Sequence, residues 1–512
     1  MFQGPYPVEL LTNTQMAEAD RLTIEGGVPG MALMEKAGAA VARVASQILA
    51  KTSGRRVVVL CGPGNNGGDG YVAARILRGQ RLKVRVAALT PPERLRGDAR
   101  QAAESWNGPV ERADCCRLNG VDLVVDALFG AGLARDIDGL AGLIVEELNQ
   151  WRRRTGQQVV AVDIPSGVDG TTGAVRGVAV EADATVTFFR LKSGHMLLPG
   201  RQLCGQLTCA HIGIRADTLE KIRPDTFVNE PGLWRPALPL PKVEGHKYSR
   251  GHAVVVCGGA SFTGAARLAA GAALRAGAGL VTLATPREAL AINAAALTSV
   301  MVRVSDGPDG LAALLADPRK NAVALGPGLG VSEETRVLAE TALAPSERAR
   351  AVTLDADALT SFAEQQARLW RAIRKSRGPV ALTPHAGEFA RLFPRCAQDA
   401  EGAPRSKLDQ ARAAARESGA VVLFKGPDTV TAAPDGRAAI LPYASPWLAT
   451  AGSGDALTGI VAALLAQGME PFLAASCAAW MHARAAQIFG PGLIADDIQA
   501  ALPAVWRELS DA

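Results

Sequence analysis

The chain has 512 residues, too many for one ordinary core, and its 48% apolar content supports two or more large ones. A net charge of +5, only 4% aromatic residues and no run of five Lys or Arg disfavour nucleic-acid binding; the densest basic cluster, Arg152-Arg153-Arg154, reads as a solvated helix end. No basic stretch leading into an apolar core opens the chain, no apolar run reaches the roughly 18 residues of a membrane span, and the eight cysteines are scattered without a C-x-x-C, so a reduced, cytoplasmic, soluble protein is expected.

Apolar spacing predicts helices over residues 10–25 and 31–50. A β-branched run at 57–61 then leads into the glycine-rich stretch 62–70, with a helix expected over 71–78. Further strands read at 82–88, 121–126, 158–163 and 184–189, a pattern for a parallel sheet covered by helices. Ligands bind beyond the carboxyl ends of such strands. Three polar clusters fall there: Asn65-Asn66-Gly67-Gly68-Asp69; Asp126, followed by Gly130-Ala131-Gly132-Leu133-Ala134-Arg135-Asp136; and Asp163 with Ser166 and Asp169. Turns alone produce the spacing of Gly62, Gly64 and Gly67, so it is not taken as a dinucleotide fingerprint.

Together the three clusters resemble the NAD(P)H-hydrate epimerase family over most of residues 10–215. The resemblance implies a Rossmann-like three-layer sandwich that interconverts the R and S epimers of hydrated NADH and NADPH. It also implies a bound potassium ion held by Asn66, Asp126 and Ser166, and substrate contacts from Asn65 to Asp69, from Gly130 to Asp136, and from Asp163. Carboxylate, amide and hydroxyl oxygens are hard ligands, which suit such a cation. Asp163 is the acid–base candidate, and Asp163→Asn is expected to spare folding; Lys192 falls near the same sheet edge.

Between residues 217 and 242 stand Pro224, Pro231, Pro236, Pro239 and Pro241 without apolar periodicity, marking a linker or an ordered strap. Domains are expected over 1–228 and 229–512.

A second α/β pattern follows. Strands read at 253–257, 280–284, 322–325, 352–355, 380–383 and 421–424, with a helix running from the glycine-rich stretch 258–265 to about residue 276. Last comes Ala451-Gly452-Ser453-Gly454-Asp455, opening an apolar helix over 456–465. The first N–H groups of that helix lack partners and its dipole is positive there, so an anion is favoured. The dipole is also expected to keep Asp455 ionised.

In order, Gly326-Pro327-Gly328, Asp355-Ala356-Asp357, Thr383-Pro384-His385, the run Lys425-Gly426-Pro427-Asp428-Thr429, and Gly454-Asp455 resemble the ADP/ATP-dependent NAD(P)H-hydrate dehydratase family. That family has a ribokinase-like three-layer sandwich. The likeness implies that Ala265, Gly328, His385 and Asp455 bind the hydrate, and that residues Lys425 to Thr429 and Gly454 bind ADP or ATP with Mg²⁺. Asp355 and Asp357 are weak candidates for that metal. Self-association is also implied. The expected function is therefore bifunctional repair of hydrated nicotinamide nucleotides. Two rivals are a ribokinase-type small-molecule kinase with a regulatory first half, and a non-catalytic nucleotide sensor.

Overall fold

The computed structural model describes residues 7–133 and 135–511, and the chain divides into two compact units, Met1–Thr226 and Phe227–Ala512. Among the described residues no helix is long and apolar enough to cross a membrane.

In the first unit, strand β1 (Glu9–Leu11) pairs in parallel with the short β8 (Leu191–Lys192). The main sheet has β2 (Arg56–Cys61), β3 (Lys83–Ala88), β4 (Val110–Arg112), β5 (Leu123–Ala127), β6 (Gln158–Val162), β7 (Ala184–Phe188) and β9 (Gln206–Ala210). Its order is β4-β3-β2-β5-β6-β7-β9, and every pairing is parallel. Side chains alternate between two cores, as a strand period of two requires. Val57, Val59 and Cys61 pack with the helices Gly30–Thr52 and Asn65–Gly79; Val58 and Leu60 pack against Gly139–Thr155. The chain reverses its direction of travel across the sheet between β2 and β5, which opens a crevice at their carboxyl ends.

One expectation is corrected. The helix after β2 starts at Asn65 rather than Tyr71, so the glycine run forms its first turns. A Cβ on Gly67 would stand 2.1 Å from the Gly62 carbonyl oxygen, and one on Gly68 would stand 2.7 Å from the Met34 side chain. These glycines let the helix lie close to its neighbours.

A short strand, β10 (Thr226–Val228), lies where the units divide. The proline-rich segment beyond it is an ordered strap on the second unit. Trp234 is fully buried and donates to Asn229 Oδ1 (3.0 Å), whose amide donates to the Ser476 carbonyl (2.7 Å).

The second unit has β11 (His252–Val256), β12 (Leu280–Thr285), β13 (Met301–Val304), β14 (Ala322–Leu325), β15 (Ala351–Leu354), β16 (Val380–Leu382), β17 (Val421–Phe424), β18 (Thr429–Ala432) and β19 (Ala438–Leu441). The order is β13-β12-β11-β14-β15-β16-β17-β18-β19; pairing is parallel through β17, and the last two strands run antiparallel. The helix Ser453–Ala466 is buried from Ala456 to Ala466. Its Gly459 meets the helix Thr263–Arg275 so closely that a Cβ would stand 2.0 Å from the Ala269 carbonyl oxygen. Alanine and glycine in place of larger residues thus bring helix backbones nearly into contact above the sheet.

Candidate active sites

A cavity of about 650 Å³ sits in the first unit, lined by Asn65, Asn66, Asp69, Asp163 and Lys192 among others. Gly130, Ala131, Gly132, Leu133 and Arg135 line it as well. Gly67 and Gly68 do not: they are buried against the Gly62 backbone and Met34, because the helix begins earlier than the sequence suggests. Asp136 is exposed and off the cavity wall, and Ala134 lies outside the described residues.

Asp163 follows β6 with φ of 65°, an uncommon conformation for a non-glycine residue. Its Oδ1 accepts from Lys192 Nζ (2.6 Å) and Thr187 Oγ1 (3.0 Å), and its Oδ2 from the Ala131 N–H (3.1 Å). Lys192 Nζ also donates to Thr187 Oγ1 at 3.0 Å, and the lysine side chain is only 2% exposed. Burial pushes the Asp163 carboxyl up, but Lys192 and the hydrogen bonds outweigh it and hold it below the usual carboxylate range. His195 Nδ1 accepts from the Lys192 N–H (2.9 Å), so Nε2 carries the proton and donates to the Asp163 carbonyl (2.9 Å). Burial lowers this imidazole to about 4, so it stays neutral and locks the turn.

Asp126 is fully buried at the end of β5. Its carboxylate accepts from Ser166 Oγ (2.6 Å), the Ser166 N–H (2.8 Å) and the Leu128 N–H (3.2 Å), while burial pushes its pKa up to about 6. Neither Asp126 nor Ser166 lines the cavity. The Asn66 side-chain amide nitrogen is buried with no partner among the described residues. A Cβ on Gly130 would stand 2.9 Å from Asn66 Oδ1 and 3.2 Å from Asp163 Oδ2, so a side chain there would push these two groups aside.

In the second unit, Gly452 caps the helix Ser453–Ala466 with φ of 87°, and Gly454 and Asp455 occupy its first turn. A Cβ on Gly454 would meet Lys425 Nζ at 3.4 Å and Asp355 Oδ2 at 3.8 Å. Asp355 accepts from Lys425 Nζ (2.8 Å) and Thr458 Oγ1 (2.7 Å), and Asp357 accepts from the Gly330 N–H (2.8 Å). Both carboxylates, the weak candidates for a metal, are thus engaged by protein donors. Glu388 lies 3.9 Å from Lys425 Nζ, and burial raises its pKa. Burial raises the Asp455 carboxyl to about 6, the neighbouring Asp355 carboxylate adds to this, and Lys425 offsets only part, so the group is still largely ionised near neutral pH.

Gly328 takes φ of 71°, and a Cβ there would stand 3.6 Å from the Ala265 Cβ, so these two meet. His385 caps the helix Ala386–Leu392 through Nδ1, accepting from the Gly387 N–H at 2.9 Å, and its ring is 56% exposed. Thr429 Oγ1 donates to the Gly426 carbonyl (2.8 Å), and Asp428 pairs with Lys407 Nζ (2.8 Å). Both side chains are buried, which leaves the backbone of this turn to meet a ligand.

Sequence reasoning missed Thr187, His195, Thr458, Glu388 and Asp20, another residue on the first cavity's wall. Each stands far along the chain from the group it serves, and its role appears only in three dimensions. Another is His482, whose Nε2 lies 2.8 Å from the Ser453 carbonyl at the start of the glycine turn.

The model for the N-terminal region of YjeF-related proteins matches residues 30–194, and the model for NAD(P)H-hydrate dehydratase matches residues 253–499. The bifunctional NAD(P)H-hydrate repair enzyme of Moorella thermoacetica is 38% identical, covering 98% of this chain and 97% of its own. That of Thermofilum pendens is 37% identical, covering 95% and 93%. A solved ADP/ATP-dependent NAD(P)H-hydrate dehydratase from Bacillus subtilis, co-crystallised with ATP and Mg²⁺, is 28% identical over 55% of this chain and 98% of its own, with a TM-score of 0.47. The chain belongs to the family of bifunctional NAD(P)H-hydrate repair enzymes.

Proposed function

We propose that the chain restores hydrated nicotinamide cofactors in two steps: residues 1–228 epimerise the R and S hydrates of NADH and NADPH, and residues 229–512 dehydrate the S form with ADP or ATP. The observation that carries this reading is the presence, in one chain, of two different acid–base sites. One is a carboxylate–ammonium pair on a cavity wall, Asp163 with Lys192. The other is Asp455 in the first turn of a helix whose opening N–H groups favour an anion.

In the first site Asp163 moves the proton of the C6 hydroxyl, with Lys192 and Thr187 fixing the carboxylate. The residues there fit a monovalent cation. Asp126 is a buried carboxylate whose donors among the described residues are all neutral, and the Asn66 amide, without a partner among those residues, can turn its oxygen inward. Asn66, Asp126 and Ser166 would hold K⁺, which supplies positive charge beside the substrate when bound.

In the second site Asp455 takes the C6 hydroxyl proton as that oxygen attacks the terminal phosphorus of the nucleotide. Gly454 N–H and the Lys425 ammonium stabilise the charge of the transferring group. The phosphate then leaves C6 with a proton from C5, and the ring double bond returns. Mg²⁺, carried in with the nucleotide, neutralises phosphate charge when bound. Ala265, Gly328 and His385 line the hydrate side, and the backbone from Lys425 to Thr429 lines the nucleotide side. Eight free cysteines support a reduced, cytoplasmic setting, and self-association is part of the same proposal.

The test supplies the S hydrate and ADP or ATP to the chain and identifies the products. Dihydronicotinamide and inorganic phosphate in equal amounts support the reading. A stable phosphorylated hydrate makes the protein a kinase, and no turnover makes it a sensor.

A further inference from the structure

The helix Asn13–Glu25 carries Met16, Ala17, Asp20 and Ile24 onto the wall of the first cavity, a spacing of one helix face. The family match begins at residue 30, beyond this helix. Its wall is apolar except for two groups. Asn13, at one end, donates its amide to the Ala131 carbonyl. Asp20 is half-buried and takes no hydrogen bond or ion pair from any described residue. A carboxyl set in an apolar wall without a partner is costly in a merely structural role.

Its surroundings point the same way. The charged and titratable groups on the cavity wall are Asp69 and Asp98, Asp163, Lys192 and Arg135. Lys192 is committed to Asp163. Burial pushes Asp20 up to about 6 and pushes the buried Asp69 well above its ordinary value, while Asp163 is held low. The cavity therefore holds one carboxylate that stays ionised, Asp163, and two carboxyls that keep their protons to higher pH, Asp20 and Asp69; Asp69 is buried, and Asp20 is the more exposed of the two. Groups driven apart in this way divide into acid and base.

We infer that Asp20 is the second catalytic residue of epimerisation, exchanging a proton with the C6 oxygen across the ring from Asp163. This deepens, and rests on, the proposed epimerase reading. In one direction the Asp20 carboxyl gives its proton to the C6 hydroxyl, the C6–O bond breaks with its electron pair on the departing water, and the N1 lone pair forms a C6=N1 iminium. Water then adds to the other face of C6 as Asp163 takes its proton. The carboxylate of Asp20 and the carboxyl of Asp163 carry out the same steps in reverse for the other epimer. No oxidant or other co-reactant is needed.

The test uses the full chain with a mixture of both epimers and ADP or ATP. Wild type consumes the S form in a fast phase and the R form in a slower phase limited by epimerisation. In Asp20→Asn the fast phase is unchanged and the slow rate falls by about 10²–10⁴-fold or to the spontaneous rate, the range for a lost acid–base group. Asp20→Glu recovers part of the loss. Because Asp20 has no hydrogen-bond or ion-pair partner among the described residues to lose, Asp20→Asn keeps or raises the thermal midpoint and keeps the apparent KM for the hydrate within a few-fold. A slow phase as fast as wild type, or a loss accounted for by a lower midpoint, overturns the assignment of Asp20 alone. If wild type itself shows no fast phase, or an R phase no faster than the spontaneous one, the underlying reading fails instead.

Discussion

Asp163→Asn is the substitution whose cost the structure changes most. The isosteric change was expected to spare folding, yet Asp163 is the counter-charge of Lys192, an ammonium with a 2% exposed side chain and a 2.6 Å contact to that carboxylate. Removing one partner of a buried pair costs about 3–5 kcal/mol, because the remaining charge stays desolvated. The Asn oxygen can still accept from Thr187 and Ala131, which favours the low end, about 3 kcal/mol. A typical domain has only about 5–15 kcal/mol to lose. Hydrogen exchange of the β6 and β7 amides in the intact chain reads this locally, without interference from the second unit. Protection in Asp163→Asn should drop by about two orders of magnitude, equivalent to about 3 kcal/mol. The double variant Asp163→Asn/Lys192→Met should regain most of it, since the orphaned charge is gone, while epimerisation stays absent in both. Unchanged protection in the single variant, or a double variant less protected than the single, would refute this reasoning.

Other outcomes follow from the second site. Asp455→Asn should lower dehydration by about 10²–10⁴-fold while calorimetric nucleotide affinity stays near wild type; retained turnover would reduce Asp455 to a helix-start residue. With its carboxyl raised to about 6, dehydration should rise with pH through about 6 and level off above, and Lys425→Met should move the residual activity's midpoint upward. The sign for stability is opposite: the folded state holds this proton more tightly than the unfolded chain, so the contribution favours folding at lower pH and is lost as pH rises through about 6. Gly459→Ala should lower the thermal midpoint sharply, because its Cβ would stand 2.0 Å from a backbone oxygen. Gly454→Val should weaken nucleotide affinity instead, since its branched side chain crowds Lys425.

Most of the parallel sheet was legible because buried strands such as Val57–Leu60 and Val421–Phe424 are continuous apolar runs with little else to become. Short or polar strands escaped: Val110–Arg112 and Met301–Val304 carry charges at the sheet edges, and β18 and β19 form an antiparallel hairpin closed by Pro434, Asp435 and Gly436. The start of the helix at Asn65 escaped because glycines read as loop until the close contacts at Gly67 and Gly68 are seen. At the sites, the motif residues were legible as polar groups after strands. What their neighbours do to them was not. The raised carboxyl of Asp455, the Lys192 counter-charge and the unpartnered Asp20 depend on burial and on residues distant in the chain.

The central claim is that one chain carries a hydrate of either configuration back to the reduced cofactor. The most direct measurement supplies the purified R hydrate alone, with ADP or ATP, and follows the return of dihydronicotinamide absorbance against released phosphate. The account predicts complete recovery, faster than spontaneous epimerisation allows, with one phosphate released per cofactor restored and no recovery without nucleotide. Consumption of the R form no faster than its spontaneous conversion, or build-up of a phosphorylated hydrate, would contradict it.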